Sequence, residues 1–252
     1  MEINIHGSWF VTLVEDSPIG PIRLSMTMIM GWVVLIVLSL LCYFLGRNLK
    51  VTNISKRQAV AECIVEALNN FVRGNMGDKF DKYIPFIGAL FGTAVVSNLI
   101  SLFGGLWSPT ADLNTEIGWA AVAFVLITYY KIKANGFGGY LKGYLEPLAP
   151  MLPLNIISEI ATPVSMACRH FGNILSGVVI GGLIYGALGA ANVALFGLIP
   201  GIGEFIGAHI PILKIGLPAI TSLYFDWFSG LIQPFIFCTL TCIFIKQASE
   251  TD

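Results

Sequence analysis

Arg169 stands out as a basic residue within a long apolar stretch of the sequence. Between Leu148 and Ile202 the only other acidic, basic or histidine side chains are Glu159 and His170. An arginine at the depth of a bilayer costs at least ~2.5–3.5 kcal/mol on insertion scales, so a charge in this position is typical of a functional site. A guanidinium there would bind a carboxylate or stand in the path of an ion.

Polar side chains flank the arginine at helical spacing. The series is Glu159, Thr162, Ser165, Arg169, Asn173 and Ser176. Steps of three or four residues place these side chains on one stripe of an otherwise apolar helix. Such a stripe suits a water-lined ion path or a partner that carries a carboxylate. The alternative, a structural pair between Arg169 and Glu159, is disfavoured because ten residues of helix separate them by about 15 Å.

A second polar stripe follows in the last apolar tract, at Ser222, Asp226, Ser229 and Gln233. Asp226 is the only acid between residues 211 and 246, and an unpaired aspartate in a membrane is costly. If the two long tracts form a hairpin, Asp226 lies outward of Arg169 and Gln233 lies near its level. The stripe then either lines an ion path or supplies an Asp226–Arg169 pair that pins the hairpin.

Two features predict local irregularity in this second stripe. Ser229 and Gly230 are small enough to let the two long helices approach closely. Pro234 has no N–H to donate, which predicts a free carbonyl beside Gln233.

The composition identifies the class of protein. Of the 252 residues, 56% are hydrophobic and 12% are charged, whereas a soluble domain carries about 25% charged residues. The sequence therefore predicts an integral membrane protein surrounded by a lipid bilayer. A net charge of −1 excludes nucleic-acid binding, which needs a basic face. The five cysteines include no CxxC pair, so no disulfide framework, metal site or cofactor is predicted, and Cys238 and Cys242 are expected to be buried core thiols.

The hydropathy pattern predicts an all-α membrane protein, a single domain over residues 1–252 with five to six membrane helices. An outer arm at residues 1–22 precedes a span over Leu24–Leu45. Residues 46–82 carry seven of the 14 basic residues and include an amphipathic helix. The positive-inside rule places this basic loop in the cytoplasm.

Two further spans frame an acidic outer loop. The span Ile84–Leu106 is followed by the loop 107–116, which has two acids and no lysine or arginine. Its Asp112 is either a helix N-cap or part of an outer vestibule that gathers cations. The third span, Ile117–Tyr130, leads to a flexible inner loop at Gly136–Gly139.

Two long apolar tracts, 154–190 and 211–246, complete the chain and are joined by an outer turn at 191–210. The first would be about 55 Å long as one helix, whereas the hydrocarbon core is about 30 Å thick, so it must tilt strongly or kink. Together, residues 154–246 predict a helical hairpin. The N-terminus is expected outside and the C-terminus in the cytoplasm.

Four segments resemble motifs of subunit a of the F-type ATP synthase, the ATPase A chain family. Residues 163–173 read P-V-S-M-A-C-R-H-F-G-N, against the family pattern P-x-S-x-x-x-R-L-F-G-N. Residues 109–115 read P-T-A-D-L-N-T, residues 136–139 read G-F-G-G and residues 233–241 read Q-P-F-I-F-C-T-L-T, and each is similar to a family motif. The segments occur in the family's order.

The resemblance implies a stator subunit, not an enzyme, whose partners are the ring of c subunits and the b-type peripheral stalk. The two long helices would lie tilted against the ring. Arg169 would keep the carboxylate of each passing c subunit ionised and separate two offset half-channels, so that protons or Na⁺ turn the ring and drive ATP synthesis. Ser165, Asn173 and Ser176 would line the inner half-channel, and Asn98, Asp112, Asp226 and Gln233 would line the outer one.

The sequence departs from the family pattern at three positions near the expected ion path. His170 replaces the usual leucine and is expected to face lipid headgroups or a neighbouring helix rather than to relay protons. Val178 stands where many members carry a glutamate, and Asp226 stands where many carry a histidine. The acid of the outer half-channel is therefore expected to be Asp226.

Two other classes of protein compete with this interpretation. A free-standing secondary transporter or channel would carry binding groups on several helices and often an internal repeat, and neither is evident. A structural scaffold would need no intramembrane charges. No cleaved signal or transit peptide is recognised, so a bacterial plasma membrane is the expected location. The choice between H⁺ and Na⁺ rests mainly with the c ring.

Overall fold

The structure is a computed structural model that describes residues 10–14, 22–100, 108–146, 148–196, 216, 220–221 and 223–250. Six α-helices form the described part of the chain: α1 (Met26–Gly46), α2 (Lys56–Met76), α3 (Ile84–Leu99), α4 (Leu113–Gly143), α5 (Leu152–Phe196) and α6 (Gly230–Ser249). A π-helical segment, Leu223–Ser229, leads into α6, and 3₁₀ turns precede α3, α4 and α5. α4 packs against α5 and α6, and α6 also contacts α2, α3 and α5.

The surface of the bundle is apolar in the way that a lipid-facing surface is. On α1, Leu40, Tyr43 and Phe44 have exposed fractions of 62%, 67% and 60%. Five helical segments within the described residues are long and apolar enough to cross a membrane. The protein is therefore an all-α integral membrane protein, and the described residues contain five of the five to six predicted spans.

α5 is longer than the tract from which it was predicted. It runs unbroken for 45 residues, or about 67 Å, through Pro163 and on to Phe196. The predicted outer turn at 191–210 is therefore wrong in its first residues, which are helical because the alanine-rich sequence there continues the helix. The rest of that turn lies outside the described residues, so the predicted hairpin connection stays a prediction.

The predicted inner loop at Gly136–Gly139 is wrong. The structure continues α4 from Leu113 to Gly143 and places a kink within it, at Gly136, where φ is 70° and ψ is 164°. Glycine tolerates this left-handed geometry because it has no Cβ. The residues on both sides of Gly136 are helical, so a sharp kink between two helical stretches takes the place of the loop.

A small β-ribbon occupies part of the predicted outer arm. Phe10–Val14 pairs antiparallel with Ile22–Ser25, and the register shifts between Thr12 and Val14. The β-branched and aromatic residues of the first strand favour this conformation. The remaining residues of the arm lie outside the described part. Ser25 ends the ribbon and caps α1 by accepting a hydrogen bond from the N–H of Thr27 at 3.3 Å.

The basic loop contains the predicted amphipathic helix, α2. Ser55 caps its first turn by accepting from the Gln58 N–H at 3.3 Å, and Val72 at its other end is fully buried. Val72 packs in one core with Cys238 and Cys242 of α6, whose exposed fractions are 0%. The two thiols are core residues, as predicted, and α2 is held on the bundle by its C-terminal half.

Candidate functional site

Arg169 is exposed at the surface of the helix bundle. α5 buries Met166, Ala167 and His170 against its neighbours, and His170 lies about 100° around the helix from Arg169. The arginine is exposed, and among the described side chains no carboxylate forms an ion pair with it. Its guanidinium is therefore available to a group outside the described chain.

Gln233 shares a small cleft with the arginine. The cleft lies between α5 and α6 and is lined by Met166, Arg169, His170, Gln233, Ile236, Phe237 and Leu240. The structure thus brings together two residues that the sequence placed at one level.

On the C-terminal side of the arginine, α5 meets the π-helical segment. The Ser229 hydroxyl donates to the Asn173 side-chain oxygen at 2.6 Å. A Cβ on Gly177 would lie 3.1 Å from the Phe225 Cβ, so the backbones approach closely at this glycine. Ser176 is exposed on α5, as is Ser165 one turn before Arg169.

Asp226 has its backbone in the π-helical segment Leu223–Ser229. Its side chain lies outside the described residues, so both a pair with Arg169 and a place in the ion path stay predictions. A π-helical turn carries one extra residue and is often found at functional sites.

Asn98 lies at the centre of the bundle, with an exposed fraction of 4%. Its side-chain N–H donates to the Gly230 carbonyl at 2.7 Å, and its oxygen accepts from the Thr110 hydroxyl at 2.6 Å. In a helix the Gly230 carbonyl would accept a hydrogen bond from the N–H of residue 234. Residue 234 is a proline without an N–H, so this carbonyl is left for Asn98. The prediction of a free carbonyl beside Gln233 is therefore wrong by one turn. The predicted close approach at Gly230 is made to Asn98 of α3, whose Cβ would lie 3.7 Å from an added Cβ.

Asp112 is the N-cap of α4. One carboxylate oxygen accepts from the Asn114 N–H at 3.0 Å, and the other accepts from the Thr27 hydroxyl of α1 at 2.8 Å. Of the two alternatives for this residue, the geometry is that of the cap. A role in an outer vestibule stays a prediction.

The sequence missed a buried acid–base pair. Glu116 Oε2 of α4 lies 3.0 Å from His170 Nδ1 of α5, and the two side chains are 0% and 1% exposed. Glu116 was assigned to the acidic outer loop, but α4 begins earlier than predicted and buries it. Ala120 and Ala123 are buried residues of α4, and Glu116 precedes them by four and seven positions. This helical spacing is the signal in the sequence that places Glu116 on the same buried face. Of the alternatives for His170, contact with a neighbouring helix is confirmed.

A larger cleft, of about 440 Å³, lies between the far ends of α4 and α5. Glu159 accepts from Lys131 Nζ at 2.9 Å and from the Tyr140 hydroxyl at 3.3 Å within it. Ser158, Thr162 and Met166 also line the cleft, whereas Ser165, Asn173 and Ser176 do not. The partner of Glu159 is therefore Lys131 of α4 rather than Arg169.

These features define an integral membrane protein whose helices enclose buried polar groups and present an arginine at the bundle surface. Residues 27–246 match the family model described as ATP synthase A chain. The chain belongs to the ATP synthase subunit a family. Proteins of this family are non-catalytic subunits of the membrane sector of the F-type ATP synthase, so membership of that complex follows.

Individual relatives agree with the family model. The chain is 36% identical over 229 residues to the ATP synthase subunit a of Desulforamulus reducens, covering 90% of this chain and 80% of the relative. It is 32% identical over 227 residues to ATP synthase subunit a 1 of Crocosphaera subtropica, covering 90% and 87%. It is also 32% identical over 237 residues to a Propionigenium modestum protein named ATP synthase subunit a, sodium ion specific, covering 88% and 73%.

Proposed function

We propose that this chain provides two offset half-channels that carry ions to and from the carboxylates of the c ring, and so couples ion flow to rotation and ATP synthesis. The observation that carries the proposal is the position of Arg169, which is exposed beside Gln233 and has no ion-pair partner among the described side chains. An arginine at membrane depth without a partner carries a free-energy cost that nothing in the described chain offsets. A passing c-subunit carboxylate supplies that partner.

The cleft around Glu159 is the inner half-channel in this proposal. It opens beside Lys131 and Tyr140, on the side that the positive-inside rule predicts to be cytoplasmic. Hydroxyl and amide groups from Ser158, Thr162 and Asn155 make its wall polar. Ser165, one turn inward of the arginine, would continue this path at the ring interface.

Met166 supports a separation between this cleft and the arginine. Its side chain lines both the large cleft and the small cleft that contains Arg169. An apolar side chain between the two clefts offers water no hydrogen bond. The guanidinium adds an electrostatic barrier, because it stays charged at any physiological pH and repels a bare cation.

The outer half-channel would approach the arginine from the opposite side. Asn98, Asp112, Asp226 and Gln233 keep the outer-side roles expected for them. The contact between Asn173 and Ser229 favours moving Asn173 from the inner to the outer group, because Ser229 lies between Asp226 and Gln233 in the same stripe. Ser176, further outward on α5, would join that group.

The carried ion is H⁺, or Na⁺ as in the relative named sodium ion specific.

Accessibility of introduced cysteines tests the two paths. Thr162→Cys and Asn173→Cys are made in a background in which the exposed Cys42, Cys63 and Cys168 are replaced by alanine. A membrane-impermeant thiol reagent is expected to label position 162 from the inner side only and position 173 from the outer side only, in inverted and right-side-out vesicles.

Ile160→Cys is the matched control, because this residue is 57% exposed on α5 and does not line the large cleft. A lipid-facing thiol stays protonated and unreactive, so it should resist the reagent from both sides. Equal labelling of positions 162 and 173 from one side would contradict the two-path proposal.

Asp226→Asn is expected to slow ion translocation severely in the assembled complex. The amide keeps the size of the side chain but cannot carry a proton or balance a cation. Val178→Glu restores an acid on α5, at the position where many family members carry one, and is expected to recover part of the rate. The measurement is ATP-driven ion uptake by vesicles. A wild-type rate for Asp226→Asn would show that the outer acid lies elsewhere.

A further inference from the structure

The buried pair behind the arginine belongs to a cluster to which four helices contribute. Glu116 comes from α4, His170 from α5 and Asn98 from α3, and α6 contributes the Gly230 carbonyl. His170 Nδ1 lies 3.0 Å from Glu116 Oε2, and its Nε2 lies 3.1 Å from the Asn98 side-chain nitrogen. The cluster is buried throughout, with exposed fractions of 0% for Glu116, 1% for His170 and 4% for Asn98.

The hydrogen bonds of Asn98 determine the tautomer of the histidine. Its side-chain nitrogen donates to the Gly230 carbonyl at 2.7 Å, so the amide cannot be flipped without setting two oxygens against each other. The same nitrogen therefore donates its second hydrogen towards His170 Nε2. His170 Nε2 is then an acceptor, and the ring is neutral with its proton on Nδ1, facing Glu116.

The pair has hydrogen-bonding capacity that the described residues do not meet. Both Glu116 carboxylate oxygens and His170 Nδ1 are buried without a well-aligned hydrogen bond to a described residue, although Nδ1 and Oε2 are in contact. Buried polar groups are nearly always paired, so such an exception points to a bound ligand or a chemical role. An unmet carboxylate beside an imidazole is a binding site for a proton.

The histidine connects this pair to the ion path. His170 lines the cleft that contains Arg169 and Gln233, and Glu116 lies behind it. Glu116 does not line this cleft, so the imidazole lies between the cleft and the carboxylate.

We propose that Glu116 and His170 form a reversible proton store for the arginine cleft. A proton from the cleft binds His170 Nε2 and displaces the Asn98 N–H, while the Nδ1 proton passes to Glu116 Oε2. One N–H bond forms, one breaks and one O–H bond forms, so the pair gains a single proton and loses its negative charge. Release follows the same steps in reverse. The inference rests on the proposed function, because protons must exchange with the c ring at this cleft.

Asn98 makes the loaded state of the pair less stable than the empty state. After uptake, the new N–H on Nε2 faces the Asn98 side-chain N–H, so two donors oppose each other where one bond existed before. The loaded state therefore favours release.

The surrounding elements add few charges among the described residues. Arg169 is adjacent on α5, and Asp112 lies one turn earlier at the cap of α4. From α3 and α6 the pair is faced by Asn98 and Gln233, which do not titrate.

Glu116→Gln tests the store with little change in shape. The amide oxygen still accepts from His170 Nδ1 but does not take up the proton. ATP synthesis driven by an imposed pH gradient, in vesicles that contain the whole complex, is expected to fall about 100-fold, the lower end of what a positioned acid–base group contributes. One titration step should also disappear from the pH dependence of the rate of ATP synthesis. Glu66→Gln, at an exposed position on α2, is the matched control and should behave as wild type.

A second variant keeps the inference testable if Glu116→Gln fails to assemble. Glu116→Leu combined with His170→Leu removes the store and leaves no buried charge, and it is expected to assemble with the same loss of rate. A wild-type rate and pH profile in either assembled variant, with Arg169→Ala inactive, would overturn the store and leave the proposed function standing. Transport of Na⁺ without H⁺ by the wild-type complex would also overturn it. Coupled pumping by Arg169→Ala would instead refute the proposed function itself.

Discussion

Replacing Arg169 with alanine is expected to abolish both ATP synthesis and ATP-driven pumping while the complex still assembles. The side chain is exposed and stands outside the packed face of α5 formed by Met166, Ala167 and His170, so its loss leaves no cavity in the bundle. What is lost is the positive charge that favours the ionised form of an approaching carboxylate. On the proposed function, the c-subunit carboxylate would then keep its proton and the two half-channels would no longer be separated.

The measurement has two arms, because loss of activity must be distinguished from loss of the protein. Copurification of the variant with the c ring and the catalytic sector reports assembly, and ATP synthesis under an imposed gradient reports coupling. Cys168→Ala changes the exposed neighbour on the same helix and should leave both readouts unchanged. Arg169→Lys keeps a charge but loses the planar fork that binds a carboxylate through two bonds, so it should remain strongly impaired. Coupled pumping by Arg169→Ala would refute the barrier role.

The membrane character of the chain could be predicted because hydropathy is a local property. Each apolar tract of about 20 residues must become a helix, since a bilayer offers no water to an unpaired backbone. Helix ends were harder to predict. Gly136 is typical of a loop in sequence, yet in the structure it is a single kinked residue between two helical stretches of α4.

Spacing predicted which polar side chains share a stripe but not the direction in which the stripe faces. Ser165, Arg169 and Ser176 are all exposed, whereas Asn173, of the same stripe, contacts Ser229. The direction is set by the packed face of α5, which includes His170 about 100° from the arginine. That face depends on which helices lie beside α5, and a single sequence does not contain this information.

Contacts between helices account for the rest of what the sequence did not predict. Glu159 pairs with Lys131 across 28 positions, and Glu116 meets His170 across a larger separation. Glu116 was assigned to a loop because the predicted start of the third span was too late by a turn. The unusual histidine and the buried glutamate are each unexplained alone, and they explain each other once α4 and α5 are side by side.

His170→Leu is expected to destabilise the assembled protein strongly, although leucine is the residue usual at this position in the family. The change leaves Glu116 buried in the bundle without its imidazole partner. Leaving a buried hydrogen-bonding group without its partner costs about 1–3 kcal/mol, and more when the group is charged, because the carboxylate has lost both water and its donor. The yield of assembled complex and its thermal stability in detergent should both fall.

The double variant determines whether the loss of stability comes from the broken pair or from the loss of the histidine alone. Glu116→Leu in the His170→Leu background removes the stranded charge, and apolar replacements of a buried pair are often neutral or stabilising, so assembly should recover. Arg73→Leu is the matched control, because it breaks the exposed pair with Asp81, at 2.6 Å, and exposed pairs contribute little. If His170→Leu alone assembled like wild type, Glu116 would have to be neutral at rest, with its carboxyl proton already in place. Recovery of assembly without recovery of ATP synthesis in the double variant would separate the structural contribution of the pair from its proposed part in proton transfer.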